Sequence, residues 1–127
     1  MSRPFIRPPE RLPQSQKAYD HIDSTHGPKK QPDQFWGRIA GSKKKQPQGQ
    51  WYHAQDWVEA EKRAPKHPGR YVIDFERPIG RVYHADGTTI TENVTRAFVQ
   101  RNRDGTLNSA YPVLDNFVLA SKINQVG

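Results

Sequence analysis

At Pro65-Lys-His-Pro-Gly69 the hydrophobic period of the chain changes, and that change constrains the fold class more than any other feature. Ahead of it, apolar side chains recur at helical spacing: Ala18, Tyr19 and Ile22, then Phe35, Trp36 and Ile39, then a stretch centred on Trp57, Val58 and Glu61. Behind it they alternate, with Tyr71, Ile73 and Phe75 on one face of a strand and Asp74 and Glu76 on the other. Helices followed by strands predict an α+β domain, with N-terminal helices packed on one C-terminal antiparallel sheet of four to five strands.

Local signals set the expected boundaries. A first helix runs from Ser15 to about Thr25 and stops at His26-Gly27-Pro28. A second covers Gln34 to Ala40, with Asp33 as N-cap and Gly41 as terminator. A third spans Ala54 to Ala64. Strands are expected at Arg70–Glu76 and Gly80–His84, the latter leading into an Asp86-Gly87 turn. The stretch from Thr91 to Pro112 reads as a hairpin about Asp104-Gly105, and Asn116–Ala120 as a fifth strand. In that hairpin Arg96 and Phe98 project one way and Thr95, Ala97 and Val99 the other. On its return strand Leu107, Ser109 and Tyr111 share a face that Pro112 closes.

Residues 1–13, with four prolines and three arginines, read as an extended basic arm ahead of a single domain at residues 14–127. Ser42–Gln50 reads as a mobile basic loop carrying Lys43, Lys44 and Lys45. No apolar run approaches the roughly 20 residues that span a bilayer, so no membrane partner is expected. A net charge of +7 favours a polyanion. The chain has no cysteine, and its five histidines show no metal-binding spacing, so neither a metal nor another cofactor is expected. Phosphate-binding glycine loops and a G-x-S-x-G nucleophile motif are absent.

What remains is metal-free acid–base chemistry on a phosphate. RNA permits it because the 2′-hydroxyl is an internal nucleophile. The reaction then needs a base near neutral pKa, donors for the phosphorane-like transition state and an acid for the leaving oxygen. Histidine, arginine and hydroxyl side chains supply these roles. The hairpin holds Arg96, Ser109 and Tyr111 but no base, so the helical half has to bring one. From the residues alone His26 at a helix end, His53 at a helix start and His84 on a strand all stay open.

Three runs, in order, carry a resemblance. They are His26-Gly-Pro with Phe35-Trp36-x-Arg38-Ile39-x-Gly41, then Val72-Ile-Asp-Phe-Glu-Arg-Pro-Ile-Gly80-Arg-Val-Tyr83, then Thr95-Arg96-Ala97-x-Val99 with Asp104-Gly-Thr-Leu-Asn-Ser109-Ala-Tyr111-Pro112. Over residues 20 to 113 this order resembles the C-terminal ribonuclease domains of polymorphic and contact-dependent inhibition toxins, in the barnase–EndoU–colicin–RelE-like superfamily. The resemblance implies His26, Arg38, Ser109 and Tyr111 as catalytic residues. It adds Thr95 and Arg96 as phosphate ligands; the charge run itself makes Lys43–Lys45 the expected contacts to a nucleic-acid backbone. Such domains often carry a serine before the aromatic that precedes the third helix. Here the run is Gln50-Trp51-Tyr52-His53, so either that role is dispensable or His53 takes it over.

The expectation is therefore a monomeric, metal-independent endoribonuclease toxin, delivered into the cytoplasm of target bacteria as part of a larger toxin. It would cleave RNA, with tRNA implied by the resemblance, and be held in check by an acidic immunity protein. Two alternatives stand beside it. One is a non-catalytic nucleic-acid-binding module that uses Lys43–Lys45 with stacking on Tyr71 and Tyr83. The other is a metal-dependent DNase toxin.

Overall fold

The strands between Gln48 and Val113, interrupted by a third helix, build two sheets. In the computed structural model, which describes residues 13–117 and 124–126, the elements run α1 (Pro13–His26), α2 (Pro32–Gly41), β1 (Gln48–Trp51), α3 (Gln55–Arg63), β2 (Gly69–Asp74), β3 (Gly80–Tyr83), β4 (Ile90–Val94), β5 (Arg96–Arg101), β6 (Leu107–Val113) and β7 (Asn124–Val126). The fold is α+β. One sheet has the order β1-β3-β4, all antiparallel, and the other β6-β5-β2-β7, with β7 parallel to β2. The expected single sheet is thus divided. The expected arm falls on residues 1–12, outside the described residues, and Pro13 already belongs to α1.

The division happens at Asn93. The run from Ile90 to Arg101 reads as one strand, but Asn93 takes a left-handed backbone (φ 59°), which asparagine tolerates better than most residues. Its N–H donates to the Tyr52 hydroxyl at 3.0 Å. Beyond it the Val94 and Thr95 carbonyls accept from Ile79 and Phe75, at 2.8 Å each, and the chain leaves the first sheet for the second. The hairpin proper is β5–β6, with Phe98 directly opposite Tyr111 and Gln100 opposite Ser109.

A bulge at Gln100/Arg101 corrects the expected face of β6. Leu107 turns into the core with Ala97, Val99 and Ala110, while Ser109 and Tyr111 lie on the other face with Phe98. Pro112 does not end the strand, which continues to Val113 on the sheet edge. Asn116 and Phe117 lie in a turn rather than in the expected fifth strand, and 118–120 fall outside the described residues.

The main core forms where α1, α3 and both sheets meet. Trp51, fully buried, sits edge-on to Trp57 and Phe75, and its indole N–H donates to the Ala110 carbonyl at 3.1 Å. A buried polar chain crosses the same region: the Tyr19 hydroxyl donates to Glu61, and Arg101 donates to the carbonyls of Glu61, Ala64, Pro65 and Gly105. Arg101 thereby satisfies the open C-terminal carbonyls of α3. Helix α2 packs separately on the first sheet through Phe35, stacked 4.5 Å from Tyr83, with Ile39 and Trp36 alongside. Its N-cap is Gln31 rather than Asp33, with the Gln34 side chain accepting the Gln31 N–H at 2.9 Å.

Candidate functional site

Helix α1 ends at His26 because Gly27-Pro28 cannot continue it, and three bonds then fix that helix end. The Arg38 guanidinium on α2 donates to the Thr25 carbonyl. Gln50 on β1 donates to the carbonyls of Gly27 and Lys30, 3.0 Å each. Between them the His26 ring is held directly: its Nδ1 lies 2.7 Å from the Gly49 carbonyl. A carbonyl only accepts, so Nδ1 carries the hydrogen and Nε2 presents a lone pair.

Gln50 and Gly49 lie in the stretch expected to be a mobile loop. Instead Gln48–Trp51 form a strand, and Gln50 is 1% exposed. Its amide is fully used, since its oxygen accepts from the Tyr83 hydroxyl at 2.8 Å and Arg81 at 2.9 Å. A glutamine in a lysine-rich polar run looks solvated, and nothing local in the sequence distinguishes it. Gly49 is required by contact: a Cβ there would overlap the Pro112 carbonyl oxygen, so only glycine lets β1 lie against β6.

That close approach brings β6 to His26. The imidazole stacks on the Tyr111 ring at 4.8 Å with 28° between planes, and Phe98 supports Tyr111 from behind at 5.0 Å. Burial, the proximity of Arg38 and that of His21 lower the His26 pKa to about 4, against the raising effect of the Gly49 bond. The ring is therefore neutral at pH 7. Burial raises the Tyr111 phenol pKa, so it keeps its proton. Arg38 lies over the Phe35 ring at 4.9 Å, and its Nε is buried without a hydrogen-bond partner. Burial lowers the Arg38 pKa, but a guanidinium stays charged.

A neutral histidine and a protonated phenol thus stack on each other, with the Arg38 charge close enough to bear on the imidazole. Comparisons with family models, curated proteins and solved structures give no match.

The other expected residues divide. Ser109 is half-buried on the Tyr111 face of β6, two residues along, or about 7 Å at strand rise. Arg96 is engaged elsewhere, 3.7 Å from Asp74 and donating to the Asp115 carbonyl at 3.3 Å. Thr95 lies at the β4–β5 junction, lining a cavity with His84 and Thr91. His53 is exposed at the entry to α3, where its carbonyl accepts from Asp56. His84 is bonded to Thr91 (Nε2 to Oγ1, 2.6 Å). No hydrogen bond, ion pair or ring contact among the described residues joins any of these five to His26.

Lys43, Lys44 and Lys45 are all exposed, and Lys45 also caps α2 by donating to the carbonyls of Ala40 and Ser42. Asp56, buried, takes a bidentate bond from Arg77 and is structural. Among the described residues no group of three or more His, Cys, Asp or Glu is placed to hold a metal ion.

Proposed function

We propose that this chain is a metal-independent endoribonuclease, a toxin domain that cleaves RNA by attack of a 2′-hydroxyl on the adjacent phosphate. One observation carries the reading: His26, with Nδ1 held by Gly49, is stacked on Tyr111 and flanked by Arg38. His26 Nε2 accepts the 2′-OH proton as the O2′–P bond forms. The P–O5′ bond breaks, and the leaving oxygen takes a proton from the Tyr111 phenol, which the imidazolium replaces through solvent. The products are a 2′,3′-cyclic phosphate and a 5′-hydroxyl, with every proton accounted for. The Arg38 guanidinium offsets the charge that builds on the phosphoryl oxygens, and Ser109 orients one of them.

Arg96, held by Asp74, takes no part in these steps. The loop lysines Lys43 and Lys44 neutralise RNA backbone charge. The stacking module is disfavoured by burial: Tyr71 and Tyr83 are 2% and 1% exposed, and neither offers a ring face to a base. By its resemblance to toxin ribonucleases, the chain acts on tRNA after delivery into target bacteria, and its charge suits an acidic immunity protein.

The test incubates the purified protein with total RNA and with plasmid DNA, each in excess EDTA. RNA cleavage that persists in EDTA and is lost in His26→Ala supports the proposal. Salt-sensitive binding without cleavage points to a binding module, and DNA cleavage only on adding metal to a DNase.

A further inference from the structure

Beside Tyr111 the surface sinks into a pocket of about 160 Å³ between β1 and the turn after β6. Tyr111, Phe117, Pro47 and Gly49 line it, together with Gln46 and Asn116, both of which are exposed. The rings are braced, since Phe98 meets Tyr111 at 5.0 Å and Phe117 at 5.8 Å. The Phe117 N–H donates to the Leu114 carbonyl at 3.0 Å, which fixes the turn that carries that ring.

We infer that this pocket receives an unpaired nucleobase of the nucleotide flanking the scissile phosphate, and so sets sequence preference. The inference rests on the ribonuclease reading for what brings RNA to the pocket. Its own support is chemical. Unstacked bases are recognised by aromatic surface against their faces and by hydrogen bonds to their edges. Two carboxamides, each both donor and acceptor, match a base edge, and the rings match its face. A free phosphate would make no use of the rings. Location agrees: Tyr111 belongs to both the pocket and the His26 stack, Gly49 both lines the pocket and holds His26, and Gln46 directly follows the lysine run.

The experiment titrates the full ¹⁵N-labelled chain with dinucleoside monophosphates that differ only in the 5′ base. Each carries a 2′-O-methyl group on that nucleotide, so none can be cleaved. Expected are chemical-shift changes at Gln46, Asn116 and Phe117 and a spread in Kd of about tenfold or more between bases. Asn116→Ala, which removes an exposed side chain, should compress that spread without shifting Tm. Equal affinities for all bases, no binding, or shifts confined to residues away from the pocket would overturn the inference. Base-selective binding without RNA cleavage would uphold the pocket and remove the ribonuclease. RNA cleavage with no selectivity at this pocket would do the reverse.

Discussion

The His26 imidazole and the Tyr111 ring stack at 4.8 Å, joining the end of α1 to the middle of β6. The contact exists because Gly49 and Pro112 let β1 lie against β6, and because the Gly49 carbonyl then reaches His26 Nδ1. Each group is held by packed neighbours before any substrate arrives, as a site that stabilises a transition state requires.

Removing only the phenolic oxygen separates chemistry from packing. Tyr111→Phe keeps the ring on His26 and Phe98, so Tm should move by no more than a few degrees. RNA cleavage should fall by about 10²-fold, the usual scale for losing a positioned proton donor. Tyr111→Ala should also destabilise, by about 3 kcal/mol, because it empties the stack. Denaturant melts beside initial rates distinguish the two.

The lowered pKa of His26 predicts where activity fails in acid. A base that must be neutral loses function as pH falls through its folded pKa. The acid limb of kcat/KM should therefore centre at about pH 4 rather than at the histidine norm of 6.5. Activity should hold at about pH 5, where an ordinary histidine is mostly protonated. A limb near 6.5 would show that His26 is not the titrating base.

The same shift makes stability depend on pH with a definite sign. Between the folded value of about 4 and the unfolded value of 6.5 the unfolded chain binds the extra proton, so unfolding free energy rises with pH across that window. The contribution is complete above the unfolded pKa, declines as pH falls, and is gone below the folded one. Its full size is about 3 kcal/mol. Urea melts at intervals from pH 7 to 4 should show this slope in the wild type and a reduced one in His26→Gln.

Two glycines should respond in opposite ways. Gly49→Ala forces a methyl group into the Pro112 carbonyl and should cost more than about 2 kcal/mol, with loss of activity as the His26 support shifts. Gly37, exposed inside α2 with nothing near its missing Cβ, should gain stability as alanine, by about 0.5–1 kcal/mol. Thermal melts of both variants check the pair.

Much of the scaffold was legible because it follows periodicity. Apart from β1, Pro65–Gly69 divides the helices from the strands, and the turns at Asp86-Gly87 and Asp104-Gly105 are real, with each aspartate accepting backbone N–H bonds from the threonines that follow. The split at Asn93 was not legible, because one residue's left-handed backbone interrupts no hydrophobic pattern. The bulge beside Arg101 was equally silent, and it moved Leu107 to the other face of β6.

At the candidate site, the helix-end signal pointed to His26 and the resemblance to Arg38 and Tyr111, and the fold brings His26 and Tyr111 into contact. The partners of Arg96 and Lys45 were not legible, since whether a cation is engaged depends on groups that the fold supplies. Gln50 and Gly49 escaped because a polar run shows no sign of which members it buries. Arg101 carried no expectation at all, yet it closes the C-terminal end of α3.

The most direct test of the central claim is the chemistry of the cut end. An RNA substrate treated with wild-type protein in excess EDTA should yield fragments ending in a 2′,3′-cyclic phosphate. His26→Ala, with an unchanged circular dichroism spectrum, should yield none. Cleavage by His26→Ala at the wild-type rate, or 3′-hydroxyl ends that appear only when metal is supplied, would contradict the account.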